Sequence, residues 1–236
     1  MESSPGSFPL RAVPFCRSAP RLRGTAIVDL RNLLAERFPQ PITTPVAHLV
    51  TGLPEFDQAI GGGLRKGAIT ELVSPNISAG SALLICALLD AAHHAGYFLA
   101  LVDGRDSFDP APVGNARLSN LLWIRCAKAA EAIKAADLLL RDGNFSLVIL
   151  DLILNAADEL RRIPQTNWYR LQRLLEPAPT VFLVLTRHSM ISSAQCKVVL
   201  ENKWSITDLE QDHNAARFHV RVERVHGGRQ RITGTG

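Results

Sequence analysis

Short apolar runs alternate with longer amphipathic runs along most of the chain. From Val50 onward the short runs are apolar and rich in β-forming residues, and the longer ones place apolar residues at helical spacing. The predicted strands are AITELV, YFLALVD, NLLWIRC, FSLVILDLI and TVFLVLTRH, and the predicted helices are SALLICALLDAAHHAG, AKAAEAIKAADLLLRDG and TNWYRLQRLLE. Apolar strands that alternate with helices are typical of a parallel sheet with helices on both faces. We therefore predict an α/β fold built on a mostly parallel, twisted sheet.

The pattern changes after the last of these strands. KVVLENKWSI and FHVRVERVHG alternate apolar with polar residues, as strands with one solvent-exposed face do. We predict that they form antiparallel strands at the C-terminal edge of the sheet.

A separate helix is predicted near the N-terminus. TAIVDLRNLLAERF carries an apolar face, and the Pro-rich PQPITTP ends the helix. The residues of that face are Ile27, Leu30, Leu34 and Phe38. We expect either that this face binds another copy or a related neighbouring protein, or that the helix folds back onto its own domain.

These patterns predict the domain organisation. The expected parts are a flexible basic tail (1–24), the N-terminal helix with its linker (25–45), a core domain (46–228) and a short flexible tail (229–236).

Composition and charge narrow the class of protein. The 236 residues are 47% hydrophobic, which is sufficient for one sizeable core, and the formal net charge of +4 does not by itself indicate nucleic-acid binding. The chain has no apolar run of about eighteen residues and no signal-peptide pattern at its start, so we expect a cytoplasmic protein without membrane contact. The four cysteines form no CxxC pair, which indicates neither a disulfide framework nor a zinc site.

The loop after the first predicted core strand departs from a phosphate-binding loop. The pattern G-x-x-x-x-G-K-[ST] supplies backbone N–H groups and a lysine to the phosphates and a hydroxyl to magnesium. Over Ser74 to Ser81, serine and alanine replace the two glycines, Gly80 stands where the lysine belongs, and Ser81 alone agrees. No lysine occurs between Lys66 and Lys128, so a shifted frame does not restore the pattern.

The order of elements around this loop nevertheless resembles the RecA/Rad51 family from about residue 25 to residue 225. The segment TGLPEFDQAIGGGLRKGAITEL is similar to the family's approach to its first core strand, and LALVDGRDSFDP to its next strand and acidic turn. FSLVILD resembles a Walker B strand that ends in Asp151. The resemblance implies a RecA-like core.

The same resemblance implies that the catalytic groups are missing. In RecA-type ATPases a glutamate two residues after a strand-end aspartate activates the attacking water. Counting from Asp103, Arg105 holds that position, and a guanidinium stays protonated and cannot act as a base. Arg187 corresponds to the glutamine that precedes the family's second DNA-binding loop. We therefore expect a protein that is not an enzyme and holds no cofactor.

Within that family the chain resembles the ImuA type of accessory protein from bacterial mutagenesis cassettes. The similarity lies in the short tail, the DLRNLLAERF helix and the diverged loop. It implies a non-catalytic adaptor in the DNA-damage response that supports error-prone translesion synthesis. Its implied partners are a polymerase-like protein of the ImuB type and RecA. Two alternatives stay open: a RecA-like ATPase with a divergent P-loop, and a SulA-type inhibitor of cell division.

Two sets of residues are candidates for ligand contacts. What is left of a nucleotide site comprises Ser74, Ser78, Gly80, Ser81 and Asp151. Asp151 either holds a magnesium-bound water or caps the next element or pairs with an arginine. Weak, salt-sensitive contact with single-stranded DNA is expected from Arg187, His188, Lys197 and Lys203.

Overall fold

In a computed structural model of the chain, which describes residues 47–76, 79–202 and 218–225, the apolar runs form a seven-stranded sheet. A separate two-stranded antiparallel sheet precedes it along the chain. The strands are β1 (His48–Leu49), β2 (Leu64–Arg65), β3 (Ala68–Val73), β4 (Leu99–Asp103), β5 (Leu121–Arg125), β6 (Leu147–Asp151), β7 (Val181–Thr186), β8 (Cys196–Leu200) and β9 (Val220–Val225).

The large sheet has the order β5-β4-β6-β7-β3-β8-β9. Every neighbouring pair is parallel except β8 and β9, which are antiparallel. The predicted mostly parallel sheet with an antiparallel pair at its C-terminal edge is therefore confirmed. β8 itself runs parallel to β3, which the alternation of its residues did not indicate.

Helices cover this sheet. They are α1 (Pro54–Ala59), α2 (Ser81–Ala95), α3 (Asn115–Leu118), α4 (Ala129–Asp142), α5 (Ala157–Arg161) and α6 (Gln165–Leu175). The three predicted helices correspond to α2, α4 and α6, whereas α1, α3 and α5 have at most six residues and are too short for a periodic pattern to reveal. Among the described residues, no helix combines the length and the apolar character needed to cross a membrane.

The central strands contribute side chains to two cores, one on each face of the sheet. In β7, Leu183 packs on one face with Leu84 and Leu101, and Phe182 packs on the other with Trp168. Successive residues of a strand point to opposite faces, so a strand that is buried on both faces must be apolar throughout. This requirement explains the unbroken apolar runs in the sequence.

The TGLPEFD stretch, part of one of the family-like motifs, forms the connection between β1 and α1 and the first turn of α1. The backbone N–H of Thr51 lies 3.1 Å from both carboxylate oxygens of Asp57, and the Thr51 hydroxyl donates to one of them at 2.9 Å. Thr51 and Asp57 are both buried, so these contacts hold the turn without solvent competition. Here the motif has a structural role.

Several predictions from the sequence concern residues outside the described ranges. The tail (1–24), the N-terminal helix with its linker (25–45) and the last residues (229–236) lie there, so these boundaries and the core range 46–228 stay predictions. Ile27, Leu30, Leu34, Phe38, Ser78 and Lys203 also lie outside the described residues.

Candidate functional site

In the loop between β3 and α2, Ser74 is held by hydrogen bonds within the protein. The N–H of Ser74 donates to the carbonyl of Thr186 at 2.7 Å, and its hydroxyl donates to the carbonyl of Asn76 at 2.8 Å. Gly80 precedes α2 with a φ of 104°, a conformation that residues with a Cβ rarely adopt. Ser74 is fully buried, and its polar groups have partners within the protein.

Two aspartates lie side by side at the carboxyl ends of neighbouring strands. Asp103 ends β4, Asp151 ends β6, and the two residues are partners in the parallel register. Asp103 is fully buried, and Asp151 has only 6% of its surface exposed. The carboxyl ends of parallel strands are the usual position of ligand sites in α/β sheets, which makes the surroundings of this pair the candidate site.

The turn after β4 surrounds the Asp103 carboxylate with donors. It accepts backbone N–H groups from Arg105 at 3.2 Å, Ser107 at 2.8 Å and Phe108 at 2.9 Å. Burial by itself raises the pKa of Asp103, but these hydrogen bonds outweigh burial and hold the pKa below its ordinary value. Asp103 is therefore an ionised carboxylate that organises its own turn.

Ser107 connects the two aspartates. Its hydroxyl oxygen lies 3.0 Å from Oδ1 of Asp103 and 2.9 Å from Oδ2 of Asp151. A hydroxyl has one proton and can donate to only one of these oxygens, so the second contact needs a proton on a carboxyl group. Burial raises the pKa of Asp151, and the charge of Asp103 raises it further, so the proton is best placed on Asp151. In this arrangement Asp151 donates to Ser107, and Ser107 donates to Asp103.

Asp151 also caps the turn that follows β6. Its Oδ1 accepts the N–H of Ile153 at 2.9 Å. This contact corresponds to the capping role that the sequence left open for Asp151. Together with the Ser107 contact, it gives each carboxyl oxygen of Asp151 a partner within the protein.

A cavity of about 250 Å³ lies beside this pair. Ser81 at the start of α2 and Asp151 both line it, so the fold brings together these two residues of the predicted nucleotide site. The rest of the lining is mostly apolar and comes from Ala82, Ile85, Cys86, Phe108, Pro112, Ile153 and Leu154, with Ser107 and Asp109. Burial is the main cause that raises the pKa of the Cys86 thiol, which is therefore protonated at neutral pH.

Arg105, which stands where the family places a glutamate, does not point its guanidinium at the aspartates. The side chain is exposed, and its Nη1 donates to the carbonyl of Ala127 at 3.0 Å. Its only contact with Asp103 is through the backbone N–H. Arg105 thus positions the turn with its main chain and directs its charge outward.

The structure describes three of the four predicted DNA-contacting residues, and each of the three has different surroundings. Arg187 is exposed and reaches back to the carbonyl of Pro75 at 3.5 Å, whereas His188 lines a separate cavity with Arg161 and Met190. Lys197 is only 13% exposed, and its Nζ lies 2.9 Å from the carboxylate of Glu71. Its charge is therefore already paired, and contact between these residues and DNA stays a prediction.

Sequence reasoning missed two residues that organise this end of the sheet. Ser107 follows Asp103 by four positions in an acidic turn, and Glu71 is the one charged residue in the apolar strand AITELV. A lone carboxylate in a strand that is buried on both faces indicates a partner, because burying an unpaired charge is highly unfavourable. That signal was available for Glu71, whereas nothing in the sequence distinguished Ser107 from an ordinary turn residue.

Comparison with known proteins adds a family context. No protein-family model matches the chain. It is 33% identical over 112 residues to Protein RecA of Clavibacter michiganensis subsp. michiganensis, a match that covers 46% of this chain and 31% of the relative. Protein RecA of Frankia alni is 30% identical over 112 residues, and that of Rubrobacter xylanophilus 32% identical over 111 residues, each match covering 46% of this chain and 32% of the relative. The chain thus spans about a third of the length of these curated relatives. With the parallel sheet and its antiparallel edge, this similarity supports a RecA-like family for the chain, whose fold is an α/β RecA-like core.

Proposed function

We propose that the protein is a non-catalytic RecA-like adaptor of the DNA-damage response that supports error-prone translesion synthesis. In this role it binds a polymerase-like partner of the ImuB type and RecA itself. The observation that carries the proposal is the internal use of the strand-end carboxylates. Asp103 is surrounded by its own turn, and both oxygens of Asp151 have protein partners.

A magnesium nucleotide does not fit these residues well. Phosphoryl transfer needs a cation that stabilises the charge on the transferred group and a carboxylate that orients the attacking water. The chain has no lysine between Lys66 and Lys128, and Arg105 points away from the site. A proton on Asp151 removes the negative charge that would hold a magnesium-bound water.

The comparisons support the DNA-related part of the proposal. The relatives carry the name RecA, and the matched segment covers nearly half of this chain. A protein that keeps the RecA-like core and lacks the catalytic groups is suited to bind RecA-type neighbours or their partners without turnover. The adaptor role therefore accounts for both the retained fold and the diverged loop.

The purified protein is expected to release phosphate from ATP no faster than its Asp151→Asn variant. The two missing groups each contribute on the order of several kcal/mol to transition-state stabilisation in enzymes that have them. Phosphate release would be measured with magnesium present, with and without single-stranded DNA. Turnover in the wild-type protein that disappears in Asp151→Asn would contradict the proposal and favour the divergent ATPase.

Affinity capture from DNA-damaged cells is expected to recover a polymerase-like protein and RecA. The variant Leu30→Asp with Leu34→Asp, which removes the apolar face predicted for the N-terminal helix, is expected to recover less RecA because that face is the predicted contact. Mass spectrometry of the captured proteins would measure both results. Capture of a cell-division protein in place of a polymerase-like one would favour the SulA-type alternative.

A further inference from the structure

The cavity of about 250 Å³ beside Asp103 and Asp151 contains a polar group that the described part of the protein leaves without a partner. Ser81, the first residue of α2, lines this cavity and has only 8% of its surface exposed. Within residues 47–76, 79–202 and 218–225, no hydrogen bond involves the Ser81 hydroxyl. A buried hydroxyl without a partner is unfavourable, so this group favours a ligand that supplies one.

The position of this hydroxyl determines which ligand group fits it. α2 has 15 residues, and the N–H groups of a helix's first turn have no acceptor within the helix. These N–H groups and the Ser81 hydroxyl can all donate a hydrogen bond. An oxygen that accepts hydrogen bonds, such as a carbonyl oxygen, is therefore the ligand group that fits this end of the cavity.

The charges around the cavity disfavour an anion. Among the described residues that line it, none is a lysine, an arginine or a histidine, whereas Asp109 and Asp151 are both present. The ionised carboxylate of Asp103 lies directly behind Ser107, whose hydroxyl oxygen is 3.0 Å away. A phosphate or a carboxylate in the cavity would therefore lie close to acidic groups without a counter-charge of its own.

A cation is not favoured either. Each carboxyl oxygen of Asp151 already has a hydrogen-bond partner in the protein, and Asp109 is exposed, so solvent can hydrate it. Most of the remaining wall consists of apolar side chains, among them Ile85, Phe108 and Ile153. Moving an ammonium group from water to such a wall is costly. The lining therefore suits an uncharged ligand with an apolar body.

We propose that this cavity binds a small uncharged molecule with an apolar body and a carbonyl oxygen, the body against Ile85 and Phe108 and the oxygen at the Ser81 hydroxyl. Ala82 and Leu154 line the cavity and are exposed, so the molecule can enter from solvent. An apolar cavity of about 150 Å³ holds one benzene molecule, so a ligand of about eight to ten non-hydrogen atoms fits here. The inference goes beyond the proposed function, which does not depend on it.

Three molecules of similar length test the class of ligand. Hexanamide is uncharged, hexanoate has nearly the same shape and is an anion, and hexylammonium is a cation. Each is titrated into the full-length protein at pH 7, and the backbone amide shifts are followed by NMR. Hexanamide is expected to shift the amides of Ser81 and Ile153 saturably, with a Kd on the order of 1 mM, as a ligand of this size implies. Hexanoate and hexylammonium are expected to bind at least about tenfold more weakly, because burying an unpaired charge is unfavourable.

Three variants test the location of the ligand. Ala82→Phe is expected to abolish the saturable shifts, because a phenylalanine at this position extends into the cavity or across its entrance. Ala95→Phe is the matched control and is expected to keep the wild-type affinity, since Ala95 is also exposed on α2 and is not among the residues that line the cavity. Ser81→Ala is expected to weaken hexanamide binding about three- to tenfold, the effect of losing one neutral hydrogen bond.

The proposal is contradicted if hexanamide causes no saturable shift at the cavity, or if hexanoate or hexylammonium binds as tightly as hexanamide. It is also contradicted if Ala95→Phe loses as much binding as Ala82→Phe. Wild-type affinity in Ser81→Ala would show that the ligand oxygen is not at Ser81. Should Ala82→Phe fail to fold, the comparison of hexanamide with hexanoate decides the question.

Discussion

Asp103→Asn is expected to lower the free energy of unfolding by about 3 kcal/mol, because hydrogen bonds to a buried charged group are among the strongest in a protein. The carboxylate accepts three backbone N–H groups and the Ser107 hydroxyl. An asparagine has one oxygen in place of two, and its NH₂ group cannot accept a hydrogen bond. Placed at Oδ2, this group faces the N–H of Phe108, and placed at Oδ1 it faces the N–H groups of Arg105 and Ser107. In either orientation at least one buried N–H loses its acceptor. Denaturant unfolding at pH 7, followed by circular dichroism, measures the loss.

Asp151→Asn is the matched control, since the same substitution is made at the partner position of the neighbouring strand. If Asp151 carries the proton, an asparagine amide can donate to Ser107 in its place, and its oxygen can still accept the N–H of Ile153. The variant is therefore expected to stay within about 1 kcal/mol of the wild type at pH 7. Equal losses in the two variants would contradict the assignment of the proton to Asp151.

The dependence on pH separates the two aspartates further. The pKa of Asp103 lies below its ordinary value of 3.8, so its contribution to stability is present above that value and is lost as the pH falls through the folded pKa. The pKa of Asp151 is raised, so ionisation of the unfolded chain lowers stability as the pH rises above 3.8, up to the folded pKa. The asparagine does not ionise, so the stability of Asp151→Asn relative to the wild type is expected to rise as the pH increases above 3.8 and to level off above the folded pKa of Asp151.

The sheet could be predicted from the sequence because each strand and each long helix has a pattern that can be recognised within its own residues. A strand that is buried on both faces must be apolar throughout, and the ends of α2 and α4 coincide with Gly96 and Gly143, which adopt the left-handed conformation. The predicted core strands and long helices were found for this reason. The direction of β8 was not predictable in this way, because alternation indicates a solvent-exposed face and does not record whether a strand runs parallel or antiparallel to its neighbours.

The candidate site was harder to predict because its contacts are distant in sequence. Ser107 and Asp151 are 44 positions apart, and Glu71 and Met190 are 119 positions apart. The spacing of apolar and polar residues does not reveal contacts between residues so far apart in sequence. The sequence therefore predicts a Lys197 that is available to DNA, whereas in the structure its charge is paired with Glu71. A template comparison identified which phosphate-binding groups are absent. It did not show that hydrogen bonds within the protein occupy the remaining carboxylates.

Gly104→Ala is expected to lower the free energy of unfolding by about 3 kcal/mol or more, since overpacking at a site that cannot relax is strongly unfavourable. A Cβ at this position would lie 2.4 Å from Oδ1 of Asn155 and 2.8 Å from the carbonyl oxygen of Asp151. Neither atom can move freely, because the Asn155 amide donates to the carbonyl of Gly104 at 3.1 Å and the Gly104 N–H donates to the carbonyl of Asp151 at 2.9 Å. Relief of the clash must therefore separate the turn after β4 from the end of β6.

Gly143→Ala is the control for this prediction, because a Cβ there meets nothing within 4 Å and the substitution acts only through its φ of 73°. That change is expected to lower stability by about 1 kcal/mol, the usual penalty for a residue with a side chain in the left-handed region. Thermal and denaturant unfolding of both variants measure the difference. In Gly104→Ala, separation of the two strand ends also moves Ser107 away from Asp151, so titration of Asp151 followed by NMR is expected to show a changed pKa. A Gly104→Ala variant as stable as Gly143→Ala, with an unchanged Asp151 titration, would contradict the close packing of these strand ends.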